Sequence, residues 1–221
     1  EVIREPFEFP EGAVPSERLK KAMERYQREK EERLARATAT PSSAVPLSIE
    51  VDLARGWFLG GEGINSVRLV SGLKVKRGES LRTRYNSRGR LRLGETLVVG
   101  LYPNTVTGVE SAVWDQIKRR YLINLPLKHG ELWVENRRAE TEVRTVEMSI
   151  PPYAVVMDDG YFSIRRDEKE AWKVSLYRGR TFTLYRGEQE VDISPGREIR
   201  WDAGGETTST PIDTSSSARG L

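Results

Sequence analysis

Residues 82–93 read RTRYNSRGRLRL, and in this stretch two kinds of side chain alternate strictly. From position 81 onward, odd positions hold Leu81, Thr83, Tyr85, Leu91 and Leu93, whereas even positions hold Arg82, Arg84, Arg88, Arg90 and Arg92. Successive side chains of a β-strand point to opposite faces, so the alternation predicts strands with one packed face and one arginine face. Residues 86–89 (NSRG) favour a tight turn, with Gly89 free to take a positive φ. The stretch therefore predicts two strands that pair as a hairpin.

The arginine face has two interpretations. In the first it is the solvated side of the hairpin, neutralised by carboxylates elsewhere in the chain, which is the usual role of a run of charges. In the second it is a cationic platform for an acidic protein, an anionic glycan or a nucleic acid, and the candidate ligand-binding residues are Arg82, Arg84, Arg90 and Arg92. Nucleic acid is the weaker candidate, because single-strand binders place aromatic rings among their cations and Tyr85 has the opposite parity.

The strand pattern extends on both sides of this stretch and predicts an all-β domain over residues 47–202. Short runs of β-branched and aromatic residues are separated there by glycines and other turn residues at close spacing. Residues 109–121 are ambiguous, because their apolar positions fit helical spacing as well as strand alternation. We favour a strand for this segment.

The two ends of the chain differ from the domain. Residues 1–46 are predicted to be an extended segment, a charged helix over residues 16–37 and a linker, since Ser16 is a good N-cap and Glu/Lys or Glu/Arg pairs recur at i,i+4 spacing. Residues 203–221 are rich in Gly, Ser and Thr and are predicted to be a disordered tail.

Composition excludes several classes of function. The chain of 221 residues has 36 Lys and Arg against 33 Asp and Glu, and a net charge of +3 is too small to imply bulk polyanion binding. Cysteine is absent, which excludes disulfides and thiolate sites. No apolar run approaches the roughly 20 residues of a membrane-spanning helix, so we expect a soluble chain. The sequence begins at Glu1 rather than Met, which fits processing or trimming and leaves room for an anchor upstream.

A repeated signature marks predicted corners in the sheet. In each copy an alternating run is followed by a glycine and then by a second alternating run, which is typical of a bulge or a tight strand bend. The copies are VDLARGWFL (51–59), VRLVSGLKV (67–75), LPLKHGELWV (125–134) and VSLYRGRTFTL (174–184).

Taken in order, these segments resemble the FecR-domain family of bacterial envelope proteins over residues 49–201. Residues 77–105 resemble the opening motif of the family, residues 127–135 its middle strand, and residues 174–199 its closing strands. The opening motif is carried by Gly78, Leu81, Thr83, Ser87, Leu91, Leu93, Leu101, Pro103, Asn104 and Thr105. The resemblance implies an extracytoplasmic, non-catalytic β module used for protein or cell-wall contacts.

Residues that could carry catalysis are sparse. His129 is the single histidine, and with no cysteine in the chain it cannot anchor a usual zinc site. Asp158 and Asp159 precede Gly160, and we interpret the three residues as a hairpin turn rather than an acid/base pair. A core position is the default expectation for each of the five tryptophans, which are Trp57, Trp114, Trp133, Trp172 and Trp201. We predict no catalytic residue, no metal site and no cofactor.

These observations predict an all-β FecR-like domain, built as a β-sandwich or a short twisted β-solenoid, with an N-terminal helix and a flexible C-terminal tail. The predicted function is a non-enzymatic cell-envelope protein that acts in protein–protein interaction, assembly or signalling, in the periplasm or otherwise outside the cytoplasm. Its expected partner is an envelope protein or a second copy, with cell-wall glycan as a further candidate. Two alternatives stay open: binding of an anionic glycan or nucleic acid through the arginine face, and a structural role in a virus or phage.

Overall fold

The computed structural model describes residues 44–137, 144–169, 171–179, 182–186, 189–201 and 207–212. The predicted helix over residues 16–37 and the end of the predicted tail lie outside these ranges. Two predicted boundaries are wrong inside them. Ala44–Pro46, assigned to the linker, forms the first strand, and Thr207–Pro211, assigned to the disordered tail, forms the last one.

The described residues form nineteen strands and one short 3-10 turn, Gly63–Asn65. In chain order the strands are β1 (Ala44–Pro46), β2 (Ile49–Arg55), β3 (Phe58–Gly60), β4 (Val67–Arg68), β5 (Ser80–Thr83), β6 (Arg88–Leu93), β7 (Leu97–Leu101), β8 (Val106–Gly108), β9 (Ser111–Asp115), β10 (Arg120–Asn124), β11 (Leu127–Asn136), β12 (Thr145–Ile150), β13 (Tyr153–Met157), β14 (Gly160–Arg166), β15 (Trp172–Gly179), β16 (Phe182–Arg186), β17 (Gln189–Asp192), β18 (Arg197–Trp201) and β19 (Thr207–Pro211). The all-β prediction is confirmed. No helix in the described part of the chain is long and apolar enough to cross a membrane.

The strands form two sheets. The smaller sheet has seven strands in the order β1-β9-β10-β12-β13-β16-β17, and the larger has twelve, with the main path β19-β18-β15-β14-β11-β8-β5-β3-β4. Strands β2, β6 and β7 join the larger sheet through the pairing of β7 with β11. Only β10 and β12 pair in parallel among these strands; the other pairs are antiparallel.

The core lies between the two sheets. Strand alternation sends Phe162 and Trp172 inward from the larger sheet, and Tyr153 and Phe182 inward from the smaller one. Rings meet across the interface edge-to-face, with centroids 4.9 Å apart for Phe162 and Phe182 and 5.0 Å apart for Tyr153 and Trp172. Face-to-face packing of this kind defines a sandwich. The sequence alone did not decide between a sandwich and a solenoid.

Successive strand pairs enter the two sheets in turn. The pair β12–β13 belongs to the smaller sheet, β14–β15 to the larger, β16–β17 to the smaller and β18–β19 to the larger. Each pair adds beside an earlier strand of its own sheet, as β16 does beside β13 and β18 beside β15. The sandwich therefore grows along its length, which gives it a solenoid-like chain path.

The glycines of the repeated signature lie at chain bends, as the pattern predicted. Gly56, Gly72, Gly130 and Gly179 all have positive φ. Gly130 lies in β11, where the register shifts and the strand passes from its pairing with β8 to its pairing with β7. Gly179 ends β15 and leads the chain from the larger to the smaller sheet.

The hairpin predicted for residues 82–93 is wrong. Strand β5 pairs with β3 and β8, whereas β6 pairs with β2 and β7, so the two strands are not neighbours. The positive φ of the connecting turn belongs to Asn86 rather than Gly89. Gly89 lies inside β6. A side chain is excluded at this position because a Cβ would stand 2.7 Å from the ring of Phe58. Tyr85, expected on the packed face, follows the end of β5 and is 75% exposed.

Two other turns also differ from expectation. Residues 109–121 contain β9, a turn and the start of β10, so the strand preference holds but is interrupted, and Ile117 lies exposed in the turn. Asp158 and Asp159 connect β13 to β14, which lie in different sheets and do not form a hairpin.

Candidate interaction surface

The four arginines predicted as a single binding face divide into two groups. Arg90 and Arg92 lie on β6, and both contact the carboxylate of Asp52 at 2.5 Å. Asp52 is the extra residue of a bulge in β2, which brings it beside both guanidinium groups. The hydrogen bond from Arg92, helped by the charge of Arg90, holds the pKa of Asp52 below its ordinary value despite partial burial. Asp52 therefore offsets one of the two positive charges of Arg90 and Arg92 and holds both side chains in ion pairs.

Arg82, in β5, and Arg84, directly after it, make contacts of a different kind. Arg82 is half-buried, and its Nη2 donates to the Ser66 hydroxyl at 3.1 Å. Arg84 is exposed, and its guanidinium lies 5.5 Å from the ring centroid of Trp57. Arg68 stands at the same distance from the same ring. Sequence alternation could not show this arrangement, because Trp57 lies in the link between β2 and β3 and Arg68 lies in β4.

The backbone beside Trp57 is held by a buried hydroxyl. Trp57 N–H donates to Ser87 Oγ at 2.8 Å, and Ser87 is 1% exposed. The Trp57 carbonyl accepts the N–H of Arg84 at 3.1 Å. Gly56 has a φ of +69°, and a Cβ at this position would stand 2.6 Å from Ser87 Oγ. The ring of Trp57 is nonetheless 53% exposed, so a rigid backbone presents a large aromatic side chain to solvent.

Exposed apolar side chains concentrate in the part of the chain that contains this tryptophan. Among the described residues, the exposed large apolar side chains are Val45, Leu53, Trp57, Val67, Val70, Leu73, Tyr85 and Ile117. Six of these eight fall within residues 53–85. Arg68 and Val70 flank buried Leu69, whose N–H donates to the carbonyl of Phe58, the residue that follows Trp57. We call Trp57, Arg68, Val70, Arg84 and Tyr85 the Trp57 surface.

The Trp57 surface is cationic as well as aromatic. No carboxylate of the described residues forms an ion pair with Arg68 or Arg84, in contrast to Arg90 and Arg92. A guanidinium near a tryptophan face is attracted by the ring quadrupole, which restrains the two arginines without cancelling their charge. The surface therefore offers one large ring, further apolar contacts and two positive charges.

A second aromatic cluster lies on the outward face of the larger sheet. Tyr161 stacks on Tyr177 at 4.9 Å and meets the edge of Trp133 at 5.8 Å. Burial and the nearby Tyr102 raise the pKa of Tyr161, and burial raises that of Tyr102. These rings are half-buried against one another, with Gly100 leaving room for the indole of Trp133. These rings cover the outward face of the larger sheet at this point. Sequence alternation could have shown that Trp133 points away from the core, because its neighbours Leu132 and Val134 belong to the core.

The motif threonines have structural contacts. Thr83 Oγ1 donates to the Tyr102 carbonyl at 2.5 Å and accepts the N–H of Thr105 at 3.0 Å. Thr105 Oγ1 donates to the Glu131 carbonyl and accepts the Glu131 N–H. These bonds secure the corner where β11 bends at Gly130, so this part of the opening motif supports the fold rather than a binding site.

The acidic and histidine candidates lie apart from one another. His129 is exposed on β11. Asp158 accepts a hydrogen bond at 2.9 Å from Oγ1 of Thr145, the first residue of β12, which is a structural contact. The part of the chain that the structure describes contains no cluster of three or more His, Cys, Asp or Glu side chains suited to a metal ion.

Comparison with known proteins gives likeness at the level of structure alone. No protein-family model matches this sequence, and no curated protein matches it. Two crystal structures of a "putative anti-sigma factor" from Parabacteroides distasonis are similar, with TM-scores of 0.48 and 0.47 and sequence identities of 17% and 19%. Each match covers 61% of this chain and 60% of the other chain.

Proposed function

We propose that this chain is a non-enzymatic protein-interaction module that binds a partner protein through the Trp57 surface. The single observation that carries the proposal is the exposed Trp57 ring between Arg68 and Arg84, on a backbone fixed by buried Ser87. Tryptophan, tyrosine and arginine are the residues most enriched in the energetic centres of protein interfaces. A rigid backbone also lowers the entropy cost of binding.

The composition of the surface specifies the partner. Arg68 and Arg84 favour a partner with carboxylates, and Val70 with the Trp57 ring favours an apolar side chain between them. The proposed partner is therefore a protein segment with an apolar anchor flanked by acidic residues. We further propose a location outside the cytoplasm, in the cell envelope, on the basis of the motif resemblance.

The alternative of an anionic polymer has less support from the geometry. A polymer site needs a continuous row of available cations, whereas Arg90 and Arg92 are engaged by Asp52. Arg82 lies in β5 and Arg84 directly follows it, and β5 does not pair with β6. No specific contact favours the viral structural role over the interaction module.

Photo-crosslinking tests the proposed function. A benzophenone amino acid at position 85 should capture a discrete protein in the native cell, because Tyr85 directly follows Arg84 in the chain and is 75% exposed. The matched control is position 117, since Ile117 is equally exposed at 79% but lies in the β9–β10 turn.

The protein captured from position 85 should not be captured from position 117, and its capture should be lost in Trp57→Ala. Capture of nucleic acid or polysaccharide from position 85 would replace the proposal with the polymer alternative. Equal capture of the same protein from both positions would contradict it.

A further inference from the structure

A groove lies at the other end of the larger sheet, where β14, β15, β18 and β19 end or begin. Its volume is about 440 Å³, which is in the range of pockets that hold small ligands. The described lining residues are Arg165, Asp167, Ala171, Trp172, Lys173, Arg200, Trp201 and Thr208. Its tryptophans belong to the core, and none of its residues belongs to the Trp57 surface.

Three cations of this groove stand in one cross-strand row. Arg165 on β14 is directly opposite Lys173 on β15, and Lys173 is directly opposite Arg200 on β18. Like charges placed opposite each other in a sheet repel and destabilise it. An anion beside such a row therefore stabilises it.

The compensation by the chain's own carboxylates is incomplete. Glu198 contacts Lys173 at 3.4 Å and Arg200 at 2.6 Å, and its side chain is largely buried. Burial opposes ionisation of Glu198, but the hydrogen bonds and charges of Arg200 and Lys173 outweigh it and lower its pKa. Arg165 is exposed and has no ion-pair partner among the described residues. Asp167, the acidic residue of the described lining, accepts the N–H groups of Lys169 and Ala171 with the same oxygen.

We propose that this groove binds a small organic anion, with a carboxylate or phosphate head group held by Arg165, Lys173 and Arg200. Arginine guanidinium groups form bidentate hydrogen bonds with both kinds of head group. The hydroxyl of Thr208, directly opposite Arg200, is a further polar contact at the rim. The edges of Trp172 and Trp201 with Ala171 give the groove an apolar side, which suits a ligand with a compact body such as a sugar ring.

Nuclear magnetic resonance titration of the full chain tests this proposal. The probes are glucose 6-phosphate, glucuronate and neutral glucose, and the readout is the indole signals of Trp172 and Trp201, assigned by substitution of each tryptophan with Phe. We expect saturable shifts of these signals with at least one anionic probe and none with glucose. The anion that binds more tightly identifies the head group as phosphate or carboxylate.

Substitutions localise the binding. Arg165→Gln removes an exposed cation without breaking an ion pair, and it should weaken binding of the anion by about tenfold. Arg178→Gln is the matched control, because Arg178 is an exposed cation of the same sheet that pairs with Glu135 away from the groove; it should leave binding unchanged. Saturable binding that persists unchanged in Arg165→Gln, equal binding of glucose, or the absence of binding by both anions would each overturn the proposal. The Trp57→Ala variant should bind the anion normally. The proposed anion site and the proposed partner-binding surface can therefore be tested independently.

Discussion

Trp57 and Trp201 are both tryptophans, but the first is exposed to solvent and the second is buried in the core. Trp201 is 2% exposed and lies on β18, a strand paired on both sides, where alternation sends its ring to the core beside Tyr153. Trp57 is 53% exposed and lies in the two-residue link between β2 and β3, outside any strand ladder. The difference shows that ladder position, rather than hydrophobicity alone, decides which large aromatic side chain is buried.

The core between the sheets should show the largest effect on stability. Phe162→Ala removes a fully buried ring that meets Phe182 across the sandwich, and we expect the free energy of unfolding to fall by about 3–5 kcal/mol. Urea denaturation of the variant and the wild type measures the change. A loss no larger than that of an exposed-site substitution would show that the two sheets do not share a core.

A buried amide should come next. Asn136 is 2% exposed; it accepts a hydrogen bond from Thr96 Oγ1 at 3.2 Å and donates to the carbonyls of Arg144 and Asp158. Asn136→Ala leaves these groups without their partner and should lower the free energy of unfolding by about 1–3 kcal/mol. Asn124→Ala is the control, because Asn124 is half-buried and its amide bonds exposed Glu110. If both variants unfold at the same urea concentration, the Asn136 network does not stabilise the fold.

Asp52, beside Arg90 and Arg92, and Glu198, beside Lys173 and Arg200, have lowered pKa values in the folded protein. Both therefore predict that acid lowers the stability of the fold. A group whose pKa is lower in the folded state stabilises the fold above its unfolded pKa, near pH 4 for Asp52 and Glu198, and this stabilisation is lost as pH falls through the folded pKa. We expect Asp52→Asn and Glu198→Gln to be less stable than the wild type at neutral pH, each by about 1 kcal/mol or less. Their stability should also fall less on acidification. Parallel pH profiles for the wild type and both variants would contradict this assignment.

The Trp57 surface should show the smallest effect on stability. Trp57→Ala removes a half-exposed ring that lies outside the core, so we expect its free energy of unfolding to change by about 1 kcal/mol or less. Binding of the partner should nonetheless weaken by about 2 kcal/mol or more, as for the central residue of an interface. Ile117→Ala is the control for loss of an exposed apolar side chain and should change neither quantity. A large loss of stability in Trp57→Ala would mean that the ring is a structural residue.

Local features of the sequence predicted much of the fold. The alternation identified the buried Leu81, Leu91 and Leu93, and the glycine signature identified bends at which all four glycines have positive φ. Pairing was not predictable in the same way, because β5 and β6 are close in sequence but take partners from distant segments. The contact of Phe58 with Gly89 is part of that long-range arrangement.

The candidate site was only partly predictable, because it also depends on contacts between distant segments of the chain. Arg84 was among the four predicted residues, whereas Trp57 was assigned to the core by default. Its partner Arg68 lies in the copy of the repeated signature at residues 67–75, where nothing marked it as a binding residue. The ion pairs of Arg90 and Arg92 depend on Asp52, which a bulge in another strand brings beside them. A Trp placed directly after a glycine bend, as Trp57 follows Gly56, is the one local sign that it leaves the strand ladder.

On binding, the proposed partner should cover the Trp57 surface and leave the rest of the sandwich exposed. The absence of cysteine allows single cysteines to be placed at Tyr85 and, as a control, at Ile117. The most direct measurement is the rate of thiol labelling at each position with and without the partner captured from position 85. We expect the partner to slow labelling at position 85 and to leave labelling at position 117 unchanged. Equal rates at position 85 with and without the partner would contradict it.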